Sequence, residues 1–253
     1  MSTGSTCVIL QPSYIPWRGY FDLIRQADWF VFYDDVQYDK HGWRNRNRIK
    51  TSHGPIWLTI PVHARGVTQN HIPINQIKIS GRDWAGRHWR TLSQAYAAAP
   101  HFDQVTELLA PFYDDPSSSL VEITIPLIVA IAGYLGLSAQ RFVRSSDLDG
   151  TPMAPTDRLV AITQQLGAKR YLTGPSAKSY LDEARFREAG IAVSYIPYNY
   201  PAYSQLHGQF DPQTSIVDLL MMTGRHAGEF IWGNNQQENA RGDPNGHLQQ
   251  LAL

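Results

Sequence analysis

Cysteine is nearly absent from this chain. Cys7 stands alone among 253 residues, which excludes an internal disulfide and a zinc site built from cysteines. Net charge is absent too. Lys and Arg number 22, Asp and Glu number 22, and a chain so balanced is not a general binder of nucleic acid or membrane surfaces. No apolar run approaches the roughly 20 residues that span a bilayer. The first residues, Met1-Ser2-Thr3-Gly4-Ser5-Thr6, lack a basic segment, and the apolar run behind them is only Cys7 to Leu10. No secretory signal is visible, so a cytoplasmic location is expected. The nine histidines form no His-Glu-x-x-His, and no Gly-x-Ser-x-Gly or P-loop spacing occurs. A metal site is therefore not expected. Repeats and low-complexity blocks are also missing.

What remains is the composition of a folded protein. Hydrophobic residues make up 43% and charged residues 17%, enough to bury a sizeable core. Cys7–Leu10 reads as a buried strand, Trp17–Gln26 as a helix and Trp29–Tyr33 as a second strand, which together make a βαβ unit. Pro16 is placed in the first turn of that helix. A hairpin follows, with Arg48–Lys50 and Trp57–Val62 as its arms. Residues 84–97, 102–112 and 121–135 read as helices, the start of the last blurred by Pro126. The alternation then resumes: a strand over 140–143, a helix capped near Thr156-Asp157 and ending at Gly167, and a strand over 170–172. A helix from Gly174-Pro175-Ser176 to Ala189 and a strand over 191–196 complete it. The expected fold is α/β, with a doubly wound, mostly parallel sheet, an inserted hairpin and a helical insertion at about 84–135. Residues 1–232 are read as one domain. Residues 233–253, rich in Asn, Gln and Gly at first, are read as a flexible or surface-laid tail.

The segment Asp34 to Lys50 carries the densest chemistry. Asp34 and Asp35 close a buried strand at its carboxyl end, where open α/β sheets hold ligands. Paired carboxylates there can hold Mg²⁺, orient an amine or act as a base; equally, they can cap a turn. Gln37 follows. Arg44-x-Arg46-x-Arg48-x-Lys50 puts four cations on one face of an extended segment, with Asn45 and Asn47 between them. Such a face suits phosphate or carboxylate, and RNA is another ligand class that it fits. It also suits a solvated edge strand.

The turn Gln11-Pro12-Ser13-Tyr14-Ile15-Pro16-Trp17 leads from strand to helix, a ready anion site. Thr173, Ser176 and Lys178 lie at a second such turn, where a cation near a helix start asks for a compensating anion. His88, between Trp84 and Trp89, is the most site-like histidine, although a lone histidine is more often structural. Cys7, inside the first strand, should be buried, inert and dispensable. Since turns at the carboxyl ends of parallel strands face one side, Asp34, Asp35, Arg44, Arg46 and Lys178 are expected to meet Tyr14 and Trp17 in one cleft.

The first turn is similar in layout to that of nucleotidyltransferase-like (HUP-like) ligases, but Pro16-Trp17-Arg18-Gly19 stands where those carry His-x-Gly-His. ATP with Mg²⁺ is thus a cofactor that the layout suggests and the missing histidines oppose. The chain as a whole resembles the WbqC-like family. The motifs are Leu10-Gln11-Pro12-x-Tyr14-x-Pro16-Trp17-x-Gly19-Tyr20-Phe21-Asp22, Tyr33-Asp34-Asp35-Val36-Gln37-Tyr38 and Trp43-Arg44-Asn45-Arg46-Asn47-x-Ile49-Lys50. Further on come Trp84-x-x-x-His88-Trp89, Thr173-Gly174-Pro175, Tyr198-x-x-Pro201-x-Tyr203-x-Gln205 and Ser215–Leu220. The resemblance implies a biosynthetic role in O-antigen or specialised metabolism, with acyl or aminoacyl transfer to an amino sugar or a similar small anionic metabolite. Asp34, Asp35 and His88 are then the candidate catalytic groups. Gln11, Tyr14, Trp17, Gln37, Arg44, Asn45, Arg46, Lys50, Thr173, Ser176, Lys178 and Tyr203 are the candidate binding groups. Two other readings stand beside it: a non-catalytic small-molecule binder, and aminoacyl transfer from tRNA. DNA and membranes are not expected partners.

Overall fold

A computed structural model describes residues 4–137, 142–150 and 153–232. The chain opens with β1 (Thr6–Leu10), α1 (Arg18–Gln26) and β2 (Trp29–Phe32). The hairpin β3 (Arg46–Thr51) and β4 (Gly54–Thr59) follows, then α2 (Asp83–Tyr96), α3 (Phe102–Leu109), α4 (Pro111–Asp114) and α5 (Val121–Tyr134). The remainder is β5 (Phe142–Arg144), α6 (Pro155–Gln165), β6 (Arg170–Thr173), α7 (Glu183–Glu188), β7 (Ala192–Tyr195), α8 (Ile216–Thr223) and α9 (Ala227–Ile231).

Five strands form one sheet in the order β5-β2-β1-β6-β7, and every neighbouring pair is parallel. β1 is central. The chain leaves it towards β2 and β5, then returns to its other side for β6 and β7. The crevice between β1 and β6 is thus a topological switch point. Side chains alternate across the sheet. Cys7, Ile9 and Val31 pack against Leu159 and Ile162 of α6 and Phe186 of α7. Val8, Phe30 and Phe32 face the larger core on the opposite side, with α1, α2, α5 and α8. Both faces are covered, which explains why the strands read as continuous apolar runs.

Three local expectations needed correction. The helix expected over 174–189 is two pieces, a 3-10 turn over Pro175–Ser179 and then α7. Asp182 causes the break by accepting a hydrogen bond from the Ala184 N–H and starting α7 afresh. The helix expected over 102–112 splits at Pro111, which lacks an N–H and opens α4 at its first position. Pro16 lies outside α1, whose cap is Trp17. The expected strand over 140–143 corresponds to β5, with 140 and 141 outside the described residues, as is the expected tail. Among the described residues no helix is long and apolar enough to cross a membrane.

Candidate functional site

A cavity of about 570 Å³ opens at the carboxyl ends of β1 and β6. That is ample for a small metabolite. Gln11, Ser13 and Trp17 from the first turn, Tyr20 from α1, Arg44 from the approach to β3 and Asn47 from β3 itself line it. Ser176, after β6, and Tyr198, after β7, complete the far wall.

Backbone pairing brings these segments together. Tyr14 N–H donates to the carbonyls of Trp43 and Arg44, docking the first turn on the segment that enters β3. Asn47 reinforces this. Its side-chain amide donates to Tyr14 O at 3.2 Å and Ile15 O at 2.9 Å, while its Oδ1 accepts from Arg48 N–H at 2.8 Å. The clamp holds Ile15 at φ 36°, a left-handed conformation costly for a β-branched residue. Asn47 was not among the expected site residues. Its role comes from backbone carbonyls of another segment, which residue spacing does not reveal.

Arg44 is the electrostatic centre of the cavity. Its Nη1 donates to Gln11 O at 3.2 Å, and its buried Nε has no partner. Among the described residues it forms no ion pair, although Tyr20, Asp39 and Tyr38 lie close enough to act on its charge. Burial lowers its pKa more than those neighbours raise it. The aromatic wall is built by Trp17, whose ring meets that of Tyr198 edge-on with centroids 4.7 Å apart. Gly174 makes this possible: a Cβ there would come 2.3 Å from the Tyr198 hydroxyl. At the rim, Trp43 and Trp57 lean together, 43% and 46% exposed.

Of the expected residues, Gln11, Trp17, Arg44 and Ser176 therefore line one cavity. Tyr14 lies beneath it, fully buried, bonded to His88 Nδ1 at 2.9 Å and to the Tyr113 hydroxyl at 2.6 Å. Burial lowers the His88 pKa to about 4, against a smaller opposing effect of a backbone hydrogen bond with Thr59. Tyr14 and His88 thus brace the turn from below.

Asp34 and Asp35 do not line the cavity. They turn under the end of β5. Asp34, wholly buried, accepts from Arg144 Nε at 2.7 Å, Ser146 Oγ at 2.9 Å and Ser146 N–H at 3.0 Å. Asp35 accepts from Ser145 Oγ at 2.6 Å and pairs with Arg158 at 3.0 Å.

The cation row is dispersed as well, because Arg46, Arg48 and Lys50 each have partners of their own. Arg44 precedes β3. Arg46 donates to the carbonyls of His41 and Gly42 and stacks on Trp57. Arg48 pairs with Asp211 at 2.8 Å. Lys50 is buried and donates to Gln205 Oε1 and the carbonyl of Gln209. Asn45 ties to Ile60 O, and Gln37 joins Thr68 to His71. Thr173 is buried at the end of β6, and Lys178 lies over the Tyr195 ring. Tyr203 donates to Asp218 in a buried cluster that also holds Tyr96 and Gln205.

Residues 11–230 match the WbqC-like protein family. The chain is also 45% identical over 225 residues to a protein of Mycobacterium tuberculosis named "Uncharacterized protein Rv1507c", an alignment covering 88% of this chain and 96% of that one. No solved structure matches it significantly. A family match over most of the chain, and a relative of nearly equal length aligned almost end to end, place it without ambiguity: the chain belongs to the WbqC-like protein family.

Proposed function

We propose that this protein binds a small anionic metabolite in the β1/β6 crevice and serves in acyl or aminoacyl transfer to an amine of that metabolite. One observation carries the reading. Arg44 is a half-buried guanidinium lining a metabolite-sized cavity, at the sheet edge where α/β folds hold ligands, and it has no carboxylate partner among the described residues. A half-buried cation whose Nε is fully buried without a partner gains from an anion that joins it. Trp17 and Tyr198 offer an apolar wall for the rest of the ligand, as they would for the ring of an amino sugar.

In the transfer, the amine attacks an activated acyl carbonyl. A C–N bond forms, the bond from the carbonyl to the leaving group breaks, and the amine proton departs with that group. The cavity would contribute by holding the amine in place.

A second reading, binding without turnover, is favoured by the lining itself. Among the described residues it contains hydroxyls, amides and a guanidinium, but no carboxylate, imidazole or thiol. The test is native mass spectrometry of the purified chain, followed by incubation of glucosamine 6-phosphate with glycine and ATP. The expected results are a bound anionic species that Arg44→Gln loses, and amide formation with pyrophosphate release. Binding without amide or pyrophosphate supports the second reading. No bound species, together with no uptake of glucosamine 6-phosphate, refutes both.

A further inference from the structure

The carbonyl of Gln11 is oversubscribed. Arg44 Nη1 approaches it at 3.2 Å, the Tyr20 hydroxyl at 3.3 Å and the Ser13 hydroxyl at 3.4 Å. One carbonyl oxygen has two lone pairs, so three donors cannot all be well placed on it. The distances agree: both hydroxyls lie beyond the usual O–H···O range of about 2.5–3.0 Å. Ser13 and Tyr20 are only 4% and 6% exposed, so bulk water does not make up the shortfall. Buried hydroxyls this poorly matched are costly. All three side chains line the same cavity. Donors outnumber acceptors at one point of the cavity wall, and one of those donors is a cation.

We infer that Ser13, Tyr20 and Arg44 form an oxyanion subsite, in which the phosphate or carboxylate group of the ligand supplies the acceptors that the Gln11 carbonyl cannot. The inference rests on the cavity being the anion site proposed above. It goes further in assigning two neutral donors, on two different elements, to the same charged group. It also orients the ligand. The acidic end lies in the angle between the first turn and α1, and the remainder extends along Trp17 and Tyr198 towards the rim at Trp43. Tyr20 is suited to the task because burial raises its pKa, so the phenol keeps its proton beside an anion.

The test uses the full chain and two probes, inorganic phosphate and sodium acetate, titrated separately. Trp17 and Trp43 fluorescence reports occupancy. The wild type is expected to saturate with at least one probe, and the arm that saturates identifies the acidic group. Tyr20→Phe and Ser13→Ala should each raise the Kd about tenfold, as expected for loss of a hydrogen bond to a charged group. Phe keeps the ring that packs against Phe30, so the fold is retained. The double variant should weaken binding further. An unchanged Kd in the double variant, with Arg44→Gln still abolishing binding, overturns the subsite and leaves the Arg44 site standing. Failure of both probes to bind the wild type at about 10 mM, a concentration at which even weak sites fill, overturns the anion site itself.

Discussion

Asp34→Ala should destabilise the fold without emptying the cavity. Asp34 is fully buried, and its carboxylate accepts from the end of β5 and the turn after it: Arg144 Nε, Ser146 Oγ and Ser146 N–H, with Ser145 Oγ farther off at 3.2 Å. Alanine removes the charged acceptor of the two Ser146 donors, worth about 1 kcal/mol each, because Ser146 is exposed and water replaces part of each bond. Arg144 adds less, because its side chain is 31% exposed and water replaces part of the contact. The sum is roughly 2–4 kcal/mol, a large fraction of the stability of an ordinary domain. Asp34→Asn, which keeps one oxygen, should cost less. Urea unfolding followed by tryptophan fluorescence measures the loss by linear extrapolation. Phosphate binding measured on the folded variants should stay near the wild-type value, because Asp34 does not line the cavity. The reasoning fails if Asp34→Ala costs under about 1 kcal/mol, well below the sum of those bonds, or if the folded variant no longer binds.

His88 makes stability depend on pH. Burial lowers its pKa from 6.5 to about 4, so the folded state favours the neutral ring and unfolding takes up a proton. The resulting stability, about 3 kcal/mol, is fully present above pH 6.5 and is lost as pH falls from there to about 4. Urea midpoints at pH 7 and pH 5 should differ more in the wild type than in His88→Gln, and equal slopes would count against the effect. Cys7 is buried in β1, with its thiol pushed up to about 12 mainly by that burial, so a disulfide reagent at pH 8 should label it only in denaturant. Rapid labelling of the native chain would contradict the placement of β1. Gly174→Ala should weaken ligand uptake with little effect on unfolding, since the added Cβ displaces the Tyr198 ring from Trp17. Unchanged uptake would remove Tyr198 from the site.

Strands of this sheet were legible because both its faces are covered. Cys7–Leu10 and Trp29–Phe32 are unbroken apolar runs, and such runs bounded by turns point to a buried parallel sheet. Glycine ends were legible for a similar reason: Gly167 and Gly190 take the positive φ that closes a helix. The break before α7 was harder to see, because Asp182 within a helix-forming segment can cap or can face solvent; here it caps, with its own N–H held by Thr156 from α6. The carboxylates illustrate the deeper limit. A strand-end position brings Asp34 and Asp35 to the correct edge of the sheet, but their side chains answer to Arg144, Ser145, Ser146 and Arg158, more than 100 residues away. The cation row obeys the same logic. Period-two spacing relates Arg46, Arg48 and Lys50, yet Asp211, Gln205 and the Gln209 carbonyl neutralise or engage two of the three. Arg44 differs by one local fact: it precedes β3, where the chain pairs with Tyr14 N–H instead of with β4. That pairing draws it to the end of β1, where among the described residues it forms no ion pair. Of four cations with the same spacing, the one outside the regular strand is the one that lines the cavity.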